Sequence, residues 1–237
     1  MDNLLVRLLK KTYLYSVYQK RNLKKLAAEN EIRRQYFLNE AECLLSVLVS
    51  VLNKGDVNYW LDYGTLLGCY RDGDFIKHDN DLDIGALMTD AQKIRELLTN
   101  NGFKLVHKFT STEGGTEECY RYNHTCVDVF YYREDLAAKS LYCTSYIVRR
   151  HIFPSLRKEL SCWVKRVTFP LMGLKTIKFK GLDVKVPEKT EDYLKAVYGE
   201  HFMTPDPSYN SAHDAPNITY YKYKDVKGTM IKFNSKY

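Results

Sequence analysis

Turn-forming residue pairs divide the middle of the chain into short segments, and their spacing limits the fold more than any other feature. Breaks fall at Asp72-Gly73, Asn101-Gly102, Gly114-Gly115 and Asn123-His124. The stretches between them have room for single strands or short helices. The segments 81–84, 103–109, 118–122 and 126–131 are predicted strands. The sequence therefore predicts an α+β fold with a mixed β-sheet flanked by helices.

The first fifth of the chain has a different pattern. Leucines recur there at helical spacing and predict two helices, residues 3–28 and 31–53, with Asp2 as the N-cap of the first and Gly55 as the stop of the second. Asn58–Tyr63 then predicts an aromatic strand, and Gly64–Tyr70 a turn followed by a short helix. An N-terminal helical segment thus precedes the predicted sheet.

Charge and cysteine usage narrow the class of protein. The net charge is +7, but the basic residues concentrate at 1–34, 149–180 and 219–237, which leaves an acidic centre. The longest uncharged run, Cys43 to Asn53, is shorter than the ~20 residues needed to span a bilayer. No secretory signal follows Met1. The six cysteines form no C-x-x-C pair, which favours reduced thiols over a zinc site or a disulfide scaffold. We therefore expect a cytoplasmic protein.

Three carboxylates in the acidic centre carry the chemistry. Asp81 and Asp83 are two residues apart on a predicted strand, so both side chains point to one face. Asp128 lies in a second predicted strand, between Val127 and Val129, which point the other way. Three acids on one sheet repel each other unless a cation binds them, and oxygen ligands favour Mg²⁺ or Mn²⁺. The alternative is a set of solvated acids on a polar sheet face.

A glycine turn stands upstream of these acids. Gly64 and Thr65 lie between a predicted strand and a predicted helix, where backbone N–H groups can hold a phosphate. A simple strand-to-helix turn would need the same glycine. The combination with the acidic strands is what favours phosphate held by backbone beside metal held by carboxylates.

These residues resemble the LicD/fukutin family. The resemblance rests on five stretches of the sequence: Trp60–Arg71, Phe75-Ile76, Asp79–Gly85, Val127–Phe130, and the segment from Val186-Pro187 through Tyr193-Leu194 and Tyr198-Gly199 to Pro205. The sequence departs from the family pattern where Lys77-His78 replace its usual Pro-Trp. It departs again at Asn80, which replaces an Asp of the acidic run.

The resemblance implies a nucleotidyltransferase-like fold and a division of the chain. Residues 1–54 would be the helical segment, 55–210 the catalytic domain and 211–237 a basic C-terminal tail. It also implies a metal-dependent phosphotransferase that moves a phospho-alcohol group, such as phosphocholine or ribitol phosphate, from a CDP-activated donor to a sugar hydroxyl of a cell-surface glycan. CMP is released. The expected catalytic and metal-binding residues are Asp81, Asp83 and Asp128, and the last is also a candidate base.

Residues around the acids are expected to bind substrate. Gly64 and Thr65 would contact the donor phosphate, and the Arg71 guanidinium would neutralise the transferred phosphate unless it only pairs with a neighbouring acid. The other expected substrate-binding residues lie beside the site: Asp62, Asp79, Lys77 and His78. Asp62 and Asp79 have a second interpretation, in which they fix geometry or cap turns.

The basic segments suggest partners besides the donor. Residues 149–166 mix cations with Phe, Leu and Trp, which fits peripheral contact with the inner face of the membrane and a lipid-linked glycan acceptor. A packed helix with a cationic outer face is the alternative. No nucleic-acid partner is expected. Two other functions remain open. A nucleotidyltransferase that attaches NMP to its acceptor would use the same Gly-Thr turn and the same three acids. A non-catalytic protein that binds a membrane surface or a glycan would use the basic segment.

Overall fold

The computed structural model describes residues 13–114, 116–149, 157–206 and 208–233. Its fold is α+β, with a large mixed sheet flanked by helices, as the sequence predicted. In chain order the elements are α1 (Tyr13–Lys54), β1 (Tyr59–Leu61), α2 (Tyr63–Arg71), β2 (Leu82–Leu87), a 3₁₀ turn (Met88–Asp90), α3 (Ala91–Asn100), β3 (Lys104–Ser111), β4 (Thr116–Tyr122), β5 (Thr125–Asp135), β6 (Ser140–Val148), β7 (Glu159–Pro170), β8 (Leu174–Phe179), β9 (Leu182–Pro187), α4 (Thr190–Tyr198), α5 (Ser211–Asp214), β10 (Ile218–Tyr220) and β11 (Gly228–Lys232).

The large sheet holds the strands that position the site. Its order is β1-β2-β5-β4-β3-β11-β7-β10, and β6 pairs with both β5 and β7. The strands β5, β4, β3, β11, β7 and β6 therefore pair in a closed ring. The β2–β5 pair is parallel, and the remaining pairings of this sheet are antiparallel. The strands β8 and β9 form a separate hairpin, which the sequence predicted around Lys180-Gly181.

The prediction of two N-terminal helices is wrong within the described residues. One helix, α1, runs without a break through residues 28–31. It contains no Gly or Pro, and a single Asn in a helix costs well under about 1 kcal/mol, so nothing interrupts it. Asp2 and residues 3–12 of the first predicted helix lie outside the described residues.

The C-terminal half of α1 is a core helix. Buried side chains recur there at i, i+3 and i+4, and they pack on the sheet: Phe37, Ala41, Leu44, Leu45, Leu48 and Leu52. By length and composition alone, Tyr15–Lys54 could cross a membrane. Its most apolar 18-residue window has a mean hydropathy of 1.2, but 44% of that window is buried inside the protein. Contacts with the core account for the apolar residues of that buried part. In the N-terminal half, Leu23, Leu26 and Ile32 are exposed.

The basic segment 149–166 is not a helix where the structure describes it. Glu159–Pro170 is the strand β7, whose residues Leu160, Cys162 and Val164 are buried on one side. Alternation with a period of two selects a strand over a helix. The Arg149 guanidinium lies 4.9 Å from the ring centre of Trp163. Residues 150–156 lie outside the described part of the chain.

The C-terminal residues join the sheet. The strand β11 lies between β3 and β7, with Lys232 opposite His107 and Gly228 opposite Cys162. The strand β10 pairs with β7 at the sheet edge. Residues 218–220 and 228–232 are thus part of the same sheet as the site, while the division at 54/55 and 210/211 stays a prediction.

Candidate active site

The three predicted acids come together on one face of the sheet. Asp83 of β2 and Asp128 of β5 are register partners in the parallel pair. Asp81 immediately precedes β2 and lies two residues before Asp83, on the same face. The apolar neighbours Leu82 and Ile84 are fully buried on the opposite side. The pattern of alternating acids and aliphatics thus anchors one face in the core and leaves the carboxylates partly exposed.

Burial raises the pKa of all three carboxyls, and repulsion by neighbouring acids adds to the shift of Asp81 and Asp83. Burial, followed by the charges of Asp128 and Asp79, raises the pKa of Asp81 well above its ordinary value. The pKa of Asp83 is also raised well above its ordinary value, by burial and then by Asp81 and Asp128. Burial raises the pKa of Asp128, against the opposing effect of the neighbouring imidazole of His107. Burial and neighbouring negative charges thus disfavour the ionised form of these acids, and a bound cation would stabilise that form.

One carboxylate oxygen of this group gives the clearest indication that the site suits a cation. The Oδ1 oxygen of Asp128 is buried and accepts no hydrogen bond from the described residues. An unpaired buried carboxylate oxygen costs free energy that a divalent cation offsets. The residues present therefore fit a hard cation held by Asp81, Asp83 and Asp128.

The glycine turn holds Asp83 in place. The Gly64 N–H donates to Oδ2 of Asp83 at 3.0 Å, and the Asp83 N–H donates to the Thr65 hydroxyl at 2.8 Å. A Cβ at Gly64 would lie 2.6 Å from Oδ2 of Asp79 and 3.4 Å from Oδ2 of Asp83. A side chain at this position would therefore displace the Asp79 carboxylate from its place beside Gly64. The predicted contacts of Gly64 and Thr65 with a donor phosphate stay predictions, because both groups are engaged with Asp83 here.

Asp62 sits behind the site in a buried hydrogen-bond network. It is fully buried, and it accepts from the Tyr63 N–H at 2.8 Å as the N-cap of α2. The hydroxyls of Tyr132 and Tyr193 donate to its two oxygens at 2.7 and 2.8 Å. Burial raises the pKa of Asp62 to about 6, although these hydrogen bonds oppose the shift. The geometry favours the interpretation in which Asp62 fixes the helix start over direct contact with a substrate.

The other expected substrate-binding residues divide into two groups. Asp79, Arg71 and His78 line a cavity of about 820 Å³ together with Gly64 and Asp83, whereas Lys77 does not line it. Burial raises the pKa of Asp79 to about 6, and His78 and Arg71 oppose this shift.

Arg71 also makes the local ion pair that the sequence offered as its alternative. Its guanidinium donates to both carboxylate oxygens of Asp72, at 2.9 and 2.8 Å. Because Arg71 both pairs with an acid and lines the cavity, the two interpretations are compatible.

The far wall of the cavity was missed by the sequence analysis. Glu117 of β4 and Lys165 of β7 both line it, and their charges interact. Burial raises the pKa of Glu117 well above its ordinary value, and Lys165 opposes the shift. Burial lowers the pKa of Lys165. No local motif marks either residue, because β4 and β7 do not pair and are brought to one cavity only by the closed ring of strands.

Aromatic side chains complete the cavity wall. They come from α2, β5, β6 and α4 and from the segment after α4: Tyr63, Phe130, Tyr146, Tyr198, Phe202 and Tyr209. Tyr198 and the nearby Pro205 belong to the C-terminal stretch that carried part of the family resemblance. The sequence signal for this wall was thus present in Tyr198-Gly199 and Pro205.

A second cluster next to Asp128 was also missed. His107 of β3 lies opposite Cys119 of β4, and Cys119 lies opposite Asp128. One ligand atom from each of these residues lies within 4.8 Å of the other two. Burial lowers the pKa of His107. The cluster depends on an irregularity between Leu105 and His107 in the β3–β4 register, which a sequence pattern does not reveal.

Comparisons with known proteins find related sequences. The family model described as LicD/FKTN/FKRP, nucleotidyltransferase domain, matches residues 56–189. The human ribitol-5-phosphate transferase FKTN is 27% identical over 192 residues, which cover 80% of this chain and 39% of that protein. An uncharacterised protein of Rickettsia prowazekii is 27% identical over 150 residues, 63% of this chain and 50% of that protein.

A solved structure is similar to part of the chain. The lincosamide antibiotic adenylyltransferase LnuA, bound to lincomycin, matches with a TM-score of 0.41 and 15% identity, over 65% of this chain and 84% of its own. The chain spans about 39% of the length of the FKTN relatives.

Proposed function

Because this chain belongs to the LicD/FKTN/FKRP family, we propose that it transfers a phospho-alcohol group from a CDP-activated alcohol to a sugar hydroxyl of a glycan. One observation carries the proposal. Asp81, Asp83 and Asp128 meet on one sheet face, and Asp83 lines a cavity of about 820 Å³. The name of the FKTN relatives, ribitol-5-phosphate transferase, makes ribitol phosphate the first head group to test.

We propose Mg²⁺ or Mn²⁺ as the cofactor, held by Asp81, Asp83 and Asp128. The buried, unpaired Oδ1 of Asp128 and the raised pKa values of the acids support this assignment. When bound, such a cation screens the negative charge of a diphosphate and stabilises the leaving phosphate.

The protein's own groups position the reactants. Gly64 and Thr65 hold Asp83, and Arg71 and Lys165 supply positive charge to the cavity. The rings along the cavity wall offer faces on which a cytosine base can stack. Most of the rate enhancement is then expected from positioning and charge.

The bonds that change are defined by this assignment. The acceptor hydroxyl oxygen bonds to the phosphorus that carries the alcohol, and the bond from that phosphorus to the bridging oxygen breaks, so CMP leaves. Asp128 is the proposed acceptor of the hydroxyl proton. The proposed mechanism needs no covalent intermediate on the protein.

A double-label assay tests the function. The purified chain is incubated with Mn²⁺, a candidate acceptor glycan and CDP-ribitol that is labelled either in ribitol or in cytidine, and then with CDP-glycerol, CDP-choline and CDP-ethanolamine. We expect one CDP-alcohol to place the alcohol label on the glycan, with no transfer of the cytidine label. Cytidine label on the product would establish a nucleotidyltransferase instead. Binding without turnover of any donor would favour the non-catalytic alternative.

Matched variants connect the assay to the site. Asp83→Asn removes one proposed ligand, and we expect transfer to fall to background while the fold is retained. Asp183→Asn changes an exposed acid of β9 that pairs with Lys178 at 3.0 Å, and we expect full activity. Near-normal transfer by Asp83→Asn would refute the metal assignment.

The place of work in the cell is a further part of the proposal. A cytoplasmic protein in peripheral contact with the inner membrane face would meet a lipid-linked glycan acceptor. The exposed, basic N-terminal half of α1 supports such contact, since cations beside exposed Leu23 and Leu26 suit an anionic lipid surface.

A further inference from the structure

A row of polar side chains crosses three neighbouring strands at the level of the acidic site. His107 on β3, Cys119 on β4 and Asp128 on β5 are consecutive register partners, so their side chains share one face. Their ligand atoms all lie within 4.8 Å of one another. Imidazole nitrogen, thiolate sulfur and carboxylate oxygen are the three ligand types that Zn²⁺ accepts, whereas Mg²⁺ takes oxygen.

The surroundings of the row favour a ligand. The Cys119 thiol hydrogen-bonds to the Asp128 carboxylate, whose Oδ1 oxygen remains buried and unpaired within the described structure. Cys119 is buried, but His107 and Asp128 are partly exposed, which gives an ion a route from solvent. The Cys119 thiol also donates to the sulfur of Cys126, which lies next to the row.

We propose that His107, Cys119 and Asp128 form a zinc site, distinct from the oxygen-ligand site for Mg²⁺ or Mn²⁺. Binding replaces the thiol proton of Cys119, which passes to solvent, and leaves three protein ligands with at least one open position. Asp128 belongs to both sites. Zn²⁺ on the His–Cys–Asp row therefore changes the affinity of the acidic site for its own cation.

Metal binding alone tests this site, without any transfer assay. The full-length, metal-stripped chain is titrated with Co²⁺ as a spectroscopic probe and with Zn²⁺ in competition against a chromophoric chelator. We expect one equivalent to bind with an intense near-ultraviolet thiolate-to-cobalt absorption band, and Zn²⁺ to displace the Co²⁺. Mg²⁺ gives no such band.

Variants distinguish the two sites. We expect Cys119→Ala to abolish the band and His107→Gln to weaken Co²⁺ binding by about tenfold or more. Cys162→Ala removes another buried thiol, on β7, and should leave the band unchanged. Asp81→Asn removes a ligand that belongs only to the acidic site, so this variant should also keep the thiolate-to-cobalt band.

Two outcomes would overturn the proposal. One is a wild-type chain that binds no stoichiometric Co²⁺ or binds it without a thiolate band. The other is a band lost equally in Cys162→Ala and Cys119→Ala. Because the wild-type spectrum decides the first outcome, the test does not depend on whether a variant folds. Failure of the zinc site would leave the proposed transferase untouched, since that activity is measured separately.

Discussion

Replacing Asp81 with Asn should stabilise the metal-free protein and destabilise the metal-bound one relative to wild type. Asp81 and Asp83 share a face two residues apart, which is about 6.7 Å at the rise of an extended strand. At an effective dielectric constant of ~20, two unit charges at that distance repel by about 2.5 kcal/mol. Asp81→Asn removes this repulsion, and no hydrogen bond of the Asp81 side chain recorded in the structure is lost with it.

The pH dependence gives the sign of the effect. Burial and its acidic neighbours raise the folded-state pKa of Asp81 well above the ordinary value of 3.8. The native state then binds more protons than the unfolded state as pH rises above about 4, so wild-type stability falls over that range. Asp81→Asn should lack the part of this decrease in stability with pH that Asp81 causes. The two proteins should melt alike near pH 4 and differ most near pH 8.

The measurement is a thermal melt with chelator and with excess Mg²⁺. A gain of 2.5 kcal/mol corresponds to roughly 5–10 °C in a protein of this size, so the variant should melt higher by up to that amount in chelator at pH 8. Mg²⁺ at a thousand times its dissociation constant adds about 4.1 kcal/mol to the wild type and little to the variant, which reverses the order. Asp183→Asn should follow wild type throughout. A variant that melts lower than wild type in chelator at pH 8 would refute the electrostatic reasoning.

Two further predictions concern the groups behind the acids. Thr65→Val removes the hydroxyl that accepts the Asp83 N–H. It should lower the free energy of unfolding by about 1–3 kcal/mol in a thermal melt and weaken Mg²⁺ binding in a titration. Thr65→Ser keeps the hydroxyl and should restore both the stability and the Mg²⁺ affinity. Tyr193→Phe should cost about 1–3 kcal/mol in chemical denaturation, because it removes a donor to the buried Asp62. A loss in Thr65→Ser as large as in Thr65→Val, or a neutral Tyr193→Phe, would contradict these assignments.

Local patterns were enough to predict elements whose boundaries carry their own signals. The hairpin around Lys180-Gly181 and the helix Thr190–Tyr198 ahead of Gly199 both match the structure, because positive φ angles at Gly181 and Gly199 require the residue type that the sequence shows. The shared face of Asp81 and Asp83 was also predictable, since side chains two residues apart in an extended chain point the same way. Their meeting with Asp128 depends on the pairing of β2 with β5.

Elements that depend on distant partners were not predictable in the same way. The strands β6 and β7 lie in a stretch without paired turn residues, so no local signal marks their boundaries. The extent of β7 is set by its pairing with β6, β10 and β11. The His107–Cys119 contact depends on a register irregularity in β3, and a shift by one residue would turn His107 to the opposite face. Glu117 and Lys165 likewise line one cavity only after strands far apart in sequence have paired.

The insertion of β11 between β3 and β7 has a consequence during synthesis on the ribosome. Both neighbours have been translated long before Gly228–Lys232 leaves the exit tunnel, so until then β3 and β7 each present an unpaired edge. The nascent chain must keep these edges from pairing with other chains while it waits for its final strand. A stop codon just before Gly228 would make that exposure permanent, and such a product is expected to accumulate in inclusion bodies although every proposed metal ligand is present.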